Sequence, residues 1–284
     1  MIKPIDKLPG TLQVLPKLQE LLGDDDAIID DIVMLIEKDA SLVFHIVKMS
    51  DSAYYASSTS ALTVVEAMNR VGFAEAYKMV GVVAAGEILS GGLPVYNMKS
   101  GELWETSLMT ASLMQYLANI SEPLRVYALP TSGIAYTIGL LHSVGKMVIS
   151  HYHENIGLEG LEGLSDSLTP QLEEELLGFD NCEAGALLLQ KWKFSNDLTR
   201  PIKFQNVPKA AAKDETMAAL LMLTKQVIED LPREKLKGNF TRMSKEYEPD
   251  AKLMKLLKIS QEELFEGLKW TVEEFDKLSV SLKD

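Results

Sequence analysis

Apolar residues recur every three or four positions along almost the whole chain, and no stretch alternates polar with apolar residues between turn signals. Such a chain can bury its apolar side chains only by packing helix on helix, so the expected fold class is all-α. The punctuation agrees. Leu12, Leu15, Leu18, Leu21 and Leu22 form a stripe that stops at Gly23. Asp24, Asp25 and Asp26 then offer capping oxygens to a helix carrying Ile28, Ile29, Ile32, Val33, Leu35 and Ile36. Ser41 is expected to open the next helix, with Leu42, Val43, Ile46 and Val47 inward. Thr63 and Glu66 have capping-box spacing ahead of a helix that ends at Gly72, and a further helix over 74–89 stops at Gly91-Gly92 with Pro94 beyond.

In the second half, long helices are expected over 103–120 and 134–151. Thr169-Pro170 opens another, Asp180 caps a helix over 181–193, and Asn196 or Asp197 caps a short one ending near Phe204. Pro208 closes that unit. Beyond it, 214–230 reads as one amphipathic helix broken at Leu231-Pro232, 233–248 as a polar, mobile connector, and Ser260 with Glu263 as a capping box for a last helix.

Charge excludes one large class of partner. Forty-one acidic against 28 basic residues leave a net charge of −13, the wrong sign for tracking a phosphate backbone, so no nucleic acid is expected. No run reaches the ~18 apolar residues of a membrane span and no signal peptide is visible, so the expectation is a cytoplasmic chain with no membrane association. Cys182 is the single cysteine, which leaves no internal disulfide or cysteine zinc cluster, and it reads as a small packed residue on a helix.

The stretch 139–146 carries the candidate chemistry. His142 follows a leucine pair inside an apolar helix, a position suited to a metal ligand, yet Ser143 stands next to it where a divalent cation would want a carboxylate. The reading is a buried, hydrogen-bonded histidine. Of the four histidines, His45 is expected to be partly exposed, and His151 and His153 to point to different faces of their helix. Asp51 is expected to cap or pair across the seam between the two helical units, and Tyr54, Tyr55 and Trp104 to anchor the core.

Several segments in order resemble the HDOD family, the output-domain branch of the HD phosphohydrolase superfamily in bacterial signalling proteins. They are Leu8-Pro9, the segment 36–42 with Ala40 in place of a proline, Asp51-Ser52-Ala53-Tyr54-Tyr55, Glu66 to the glycine at 72, the segments 103–107, 139–146 and 178–186, and Lys191-Trp192. The resemblance covers 8–208, as sub-bundles of about 8–98 and 99–208, with 209–284 as a C-terminal helical extension. It implies that Thr106 stands at the first metal-binding histidine of the catalytic enzymes, that His142 keeps the second, and that Ser143 replaces the aspartate. Asn181 stands at a third histidine, and Gln205-Asn206 at a histidine pair. Neutral amides and hydroxyls cannot offset a dication, so the expectation is no catalytic residue, no metal and no cofactor.

What this implies is a non-enzymatic signalling module with a degenerate site, working through protein contacts with signalling partners in trans, since no receiver or GGDEF-type domain is recognised in the chain. The C-terminal helices from 214 onward are the expected place for a partner or for self-association, because an amphipathic helix must cover its apolar face. Two other readings stand beside it. One is nucleotide or cyclic-dinucleotide binding in the vestigial cavity, with Lys146 and Arg125 on phosphates; the other is a divergent metal-dependent phosphohydrolase.

Overall fold

The computed structural model describes residues 14–22, 28–51, 61–125, 131–156, 168–236 and 239–283, and all its named elements are helices. One bridge, Leu93 to Met98, is the extended pairing among the described residues. Leu8-Pro9, the Asp24–26 cap and the Tyr54-Tyr55 pair lie outside them.

The first group comprises α1 (Val14–Leu22), α2 (Ile29–Ile36), α3 (Ala40–Ser50), α4 (Val64–Val71) and α5 (Phe73–Leu89). Ile32, Val33 and Ile36 of α2 and Leu42, Ile46 and Met49 of α3 are buried, and both helices pack on α4. Asp39, not Ser41, caps α3: its carboxylate accepts the Leu42 N–H at 3.2 Å. Thr63 accepts the Glu66 N–H at 3.1 Å while the Glu66 carboxylate takes the Leu62 N–H at 2.7 Å. Gly72 has φ +81°, which only glycine adopts without strain, and this lets α5 start at the next residue. Asp51 pairs within the first group and not across the seam between the two units, accepting from Arg70 at 2.5 Å and from the Ala61 N–H at 2.8 Å, which ties the end of α3 to α4.

A 3₁₀ turn, Pro94–Tyr96, leads to α6 (Glu102–Ile120), α7 (Glu122–Arg125), α8 (Thr131–Leu141), α9 (Val144–Ile156), α10 (Pro170–Leu177), α11 (Asn181–Lys191) and α12 (Asn196–Lys203). A second 3₁₀ segment, Pro208–Asp214, is followed by α13 (Glu215–Asp230), α14 (Arg233–Leu236), α15 (Phe240–Glu246), α16 (Ala251–Leu257) and α17 (Gln261–Lys283). Helix α6 organises all of this. Its residues Ser107, Leu108, Met109, Thr110, Ala111, Ser112, Leu113 and Met114 are all buried, so it has no polar face over two turns and must be enclosed. Helices α5, α8, α13 and α17 enclose it.

Three expectations need correction here. The helix expected over 134–151 is two helices, α8 and α9, separated by a turn at His142-Ser143. The bend lets Gly145 press its backbone onto α11, where an added Cβ would lie 1.7 Å from the Asn181 carbonyl oxygen. Asp197 does not cap α12, which begins after Ser195; it pairs with Lys213 at 2.7 Å. The stretch 233–248, expected to be a mobile connector, is largely helical and tied down. Phe240 meets Phe265 edge-on at 5.8 Å, Tyr247 donates to Asp230 at 2.9 Å, and the Gln261 amide donates to the Ser244 and Tyr247 carbonyls.

The C-terminal helices belong to the main core. Leu220, Leu223, Leu264, Leu268 and Phe275 join the same buried cluster as Leu108 and Leu113. Arg233 bonds Glu105 of α6 at 3.0 Å and Asp276 of α17 at 2.7 Å while lying 4.7 Å over the Phe275 ring, which in turn packs on Trp104 at 5.7 Å. The buried apolar residues described on α13 and α17 therefore pack within the chain.

Candidate functional site

The site forms where α9, α11, the turn after α12 and α13 converge. Thr169 caps α10 with Pro170 in its first turn, and Gly178 in the left-handed region (φ +77°) turns the chain into α11. Asp180 caps α11, accepting the Glu183 N–H at 2.7 Å. Replacing it with alanine is expected to cost about 1 kcal/mol, read as a lower urea midpoint at unchanged slope.

This local geometry sends Glu173 into the interior, where it has 0% exposure. A buried carboxylate needs donors, and Glu173 has three: the Tyr96 hydroxyl at 2.6 Å, the Asn181 backbone N–H at 2.6 Å and the Asn181 side-chain amide at 2.7 Å. Burial and the Glu173 charge push the Tyr96 phenol well above its ordinary range, so it stays a protonated donor. The Lys146 ammonium lies 5.5 Å over the same Tyr96 ring.

Asn181 passes the chain of contacts to Cys182, whose Sγ lies 3.8 Å from the Asn181 Oδ1 and accepts from the Asn206 amide at 3.2 Å. Burial pushes the thiol up to about 12, so it remains protonated and is no nucleophile. The oxygens of Asn206 and Gln205 accept from Lys225 of α13 at 2.7 and 3.2 Å. The Gln205 amide donates to the His142 carbonyl at 3.2 Å and to the Ile202 carbonyl at 3.0 Å.

His142 closes the series. It is 4% exposed, and its Nδ1 donates to the Gly139 carbonyl at 2.7 Å. Burial holds its pKa down at about 3, with Lys225 and Lys146 adding to that effect against the hydrogen bond to Gly139, so the imidazole is neutral.

A continuous polar network thus runs from Tyr96 through Glu173, Asn181, Cys182, Asn206, Lys225 and Gln205 to the backbone carbonyl of His142, whose imidazole bonds Gly139 instead. Four of the expected site residues, His142, Asn181, Gln205 and Asn206, are members, and Ser143 is buried in the turn beside His142. Thr106 is not: its hydroxyl donates to the Glu102 and Leu103 carbonyls of its own helix, at 3.0 and 3.1 Å. Glu173, Tyr96 and Lys225 were not anticipated. For Lys225 a signal existed, since it falls between Leu221 and Ile228 on the inward stripe of α13. The two expected phosphate contacts sit in different surroundings, because Arg125 is exposed, donates to the Ile120 carbonyl at 2.9 Å and lies near Glu122 and Glu263.

Among the described residues no three His, Cys, Asp or Glu side chains are placed to hold a metal ion. The groups that do converge are three amides, an ammonium, a protonated thiol and one carboxylate that already accepts three hydrogen bonds, beside an imidazole with Nδ1 engaged, a set that does not suit a divalent cation. A cleft of about 600 Å³ adjoins the network at Asn206, walled by Val207, Met222, Leu253 and Leu256 with Lys209 and Lys252 among its lining.

The sequence model of the HDOD domain matches residues 8–208. A candidate phosphohydrolase from Shewanella amazonensis SB2B is 25% identical, with 96% of this chain and 94% of that one covered and a TM-score of 0.67. A candidate signal transduction protein from Marinobacter aquaeolei VT8 is 22% identical, with 97% and 58% covered and a TM-score of 0.73. An uncharacterized protein of Treponema pallidum (strain Nichols) is 24% identical over 233 residues, 81% of this chain, and the matched region spans 44% of that relative's length.

Proposed function

The chain belongs to the HDOD domain family, and on that premise we propose that it is a non-enzymatic bacterial signalling module that works in the cytoplasm through contacts with other signalling proteins, around a degenerate HD site. One observation carries the reading. The positions where the family resemblance places metal-binding histidines hold Asn181, Gln205 and Asn206, and all three spend their amides on a closed internal network that includes Lys225. A dication would have to displace that ammonium and would find no free carboxylate, since Glu173 already accepts three hydrogen bonds. The signalling context agrees with the name of the Marinobacter aquaeolei relative. No helix among the described residues is long and apolar enough to cross a membrane.

The cleft beside Asn206 favours one second reading, binding of a small ligand without hydrolysis, since its volume lies in the range of ligand pockets. Thermal melts of the full chain against nucleotides and cyclic dinucleotides separate the two. The interaction module predicts an unchanged Tm across the set and co-purification of a defined signalling protein from the native host. A saturable rise in Tm with one ligand, lost in Met222→Lys, would establish the second reading instead.

A further inference from the structure

We propose that Lys225 is the resident cation of this site: its ammonium, delivered from α13, is held by the amide oxygens of Gln205 and Asn206, which stand where the family resemblance puts a histidine pair, fastens the C-terminal helices to the domain and bars a second cation. This rests on the non-catalytic reading and deepens it.

The amide orientations argue for it first. The Gln205 nitrogen is committed to the His142 and Ile202 carbonyls, and the Asn206 nitrogen to the Cys182 sulfur. Both side-chain oxygens are thereby turned toward α13, and both accept from Lys225. Histidines at these two positions would present ring nitrogens, which serve a metal; amide oxygens serve an ammonium, which can only donate.

The helix that brings the lysine is the second argument. Leu221 and Ile228, one turn before and after Lys225, are buried, so the lysine leaves the helix on their inward face and is itself half-buried. Charge balance is the third. Burial, with Lys146, presses the Lys225 pKa down, Glu229 and Asp180 lie within electrostatic reach to oppose that, and Glu173 at the far end of the network is closed by its own donors. The site thus holds a half-buried lysine that already donates to two amide oxygens of the protein.

A double-mutant cycle on the full chain tests this with Lys225→Met, Asn206→Leu and the double variant in urea unfolding. If the ammonium and the amide oxygen act as a pair, the effects are non-additive by about tenfold or more in the unfolding constant. Additivity within about twofold overturns the proposal. Should a variant fail to fold, reductive methylation of the wild-type protein read by peptide mass spectrometry decides it: Lys225 must label far more slowly than exposed Lys252, and equal rates overturn the assignment. Titration of the same protein with MnCl2 keeps the two claims apart. Stoichiometric Mn²⁺ binding with turnover overturns the non-catalytic reading, whereas an additive cycle without Mn²⁺ binding overturns the role of Lys225 alone.

Discussion

Gly145→Ala is expected to unfold or severely destabilise the protein. A Cβ at this position would lie 1.7 Å from the Asn181 carbonyl oxygen and 2.8 Å from the Gly185 nitrogen, both backbone atoms of α11 that have no rotamer to escape into. Gly185 faces back onto Gly145, so the two helices touch backbone to backbone, and relief requires α9 and α11 to separate. That separation would pull Asn181 from Glu173 and expose a buried carboxylate. The cost is on the order of 4 kcal/mol or more, a fall in Tm of roughly 10 °C for a chain of this size. Gly91→Ala is the control: a Cβ there meets nothing within 4 Å, and its melt should match the wild type.

The second large effect is acid sensitivity through His142. Its pKa is about 3 in the folded chain against an ordinary 6.5, because burial disfavours the imidazolium. Between those values the unfolded chain binds a proton that the folded chain refuses. Stability therefore falls as pH drops below about 6.5, at about 1.4 kcal/mol per pH unit from this group, and the loss levels off near pH 3. The full contribution is about 4–5 kcal/mol. Lys225 and Lys146 face the ring and keep the same sign. His142→Asn retains an amide donor for the Gly139 carbonyl and removes the titration, so urea unfolding from pH 7 to pH 4.5 should show a shallower decline than wild type. Carboxylates titrate in both proteins and cancel in the difference. Parallel slopes would contradict the buried, neutral histidine.

Some caps are legible in the chain and others are not: Asp39 takes the place expected of Ser41, and Asp197 pairs with Lys213 instead of capping. Asp180, Thr63 and Ser260 cap helices because a short polar side chain reaches free N–H groups one turn ahead, and that depends on a few neighbouring residues. The same logic does not reach 134–151, where the break at His142-Ser143 accompanies the crossing of Gly145 on α11, a contact with residues far away in sequence. Nor does it reach the C-terminal helices. Their amphipathic faces were legible, but the sequence does not state that a helix as fully buried as α6 would need them as cover.

The candidate site shows the same division. His142, Asn181, Gln205 and Asn206 could be picked out by the order of motifs, and they do share one hydrogen-bonded network. Thr106 could be placed at the right motif but not oriented, since whether a hydroxyl turns to a neighbour or to its own helix carbonyls depends on packing. Glu173 and Lys225 carry the two charges of the network and come from segments that no motif marks.

The most direct measurement is metal content together with phosphodiesterase turnover, made on the full chain purified without chelator and equilibrated with Mn²⁺, Zn²⁺ or Mg²⁺. A closed network of amides, thiol and ammonium predicts no stoichiometric metal and no hydrolysis above the metal-only blank. One or two equivalents of bound metal, with turnover that disappears in His142→Ala, would contradict it.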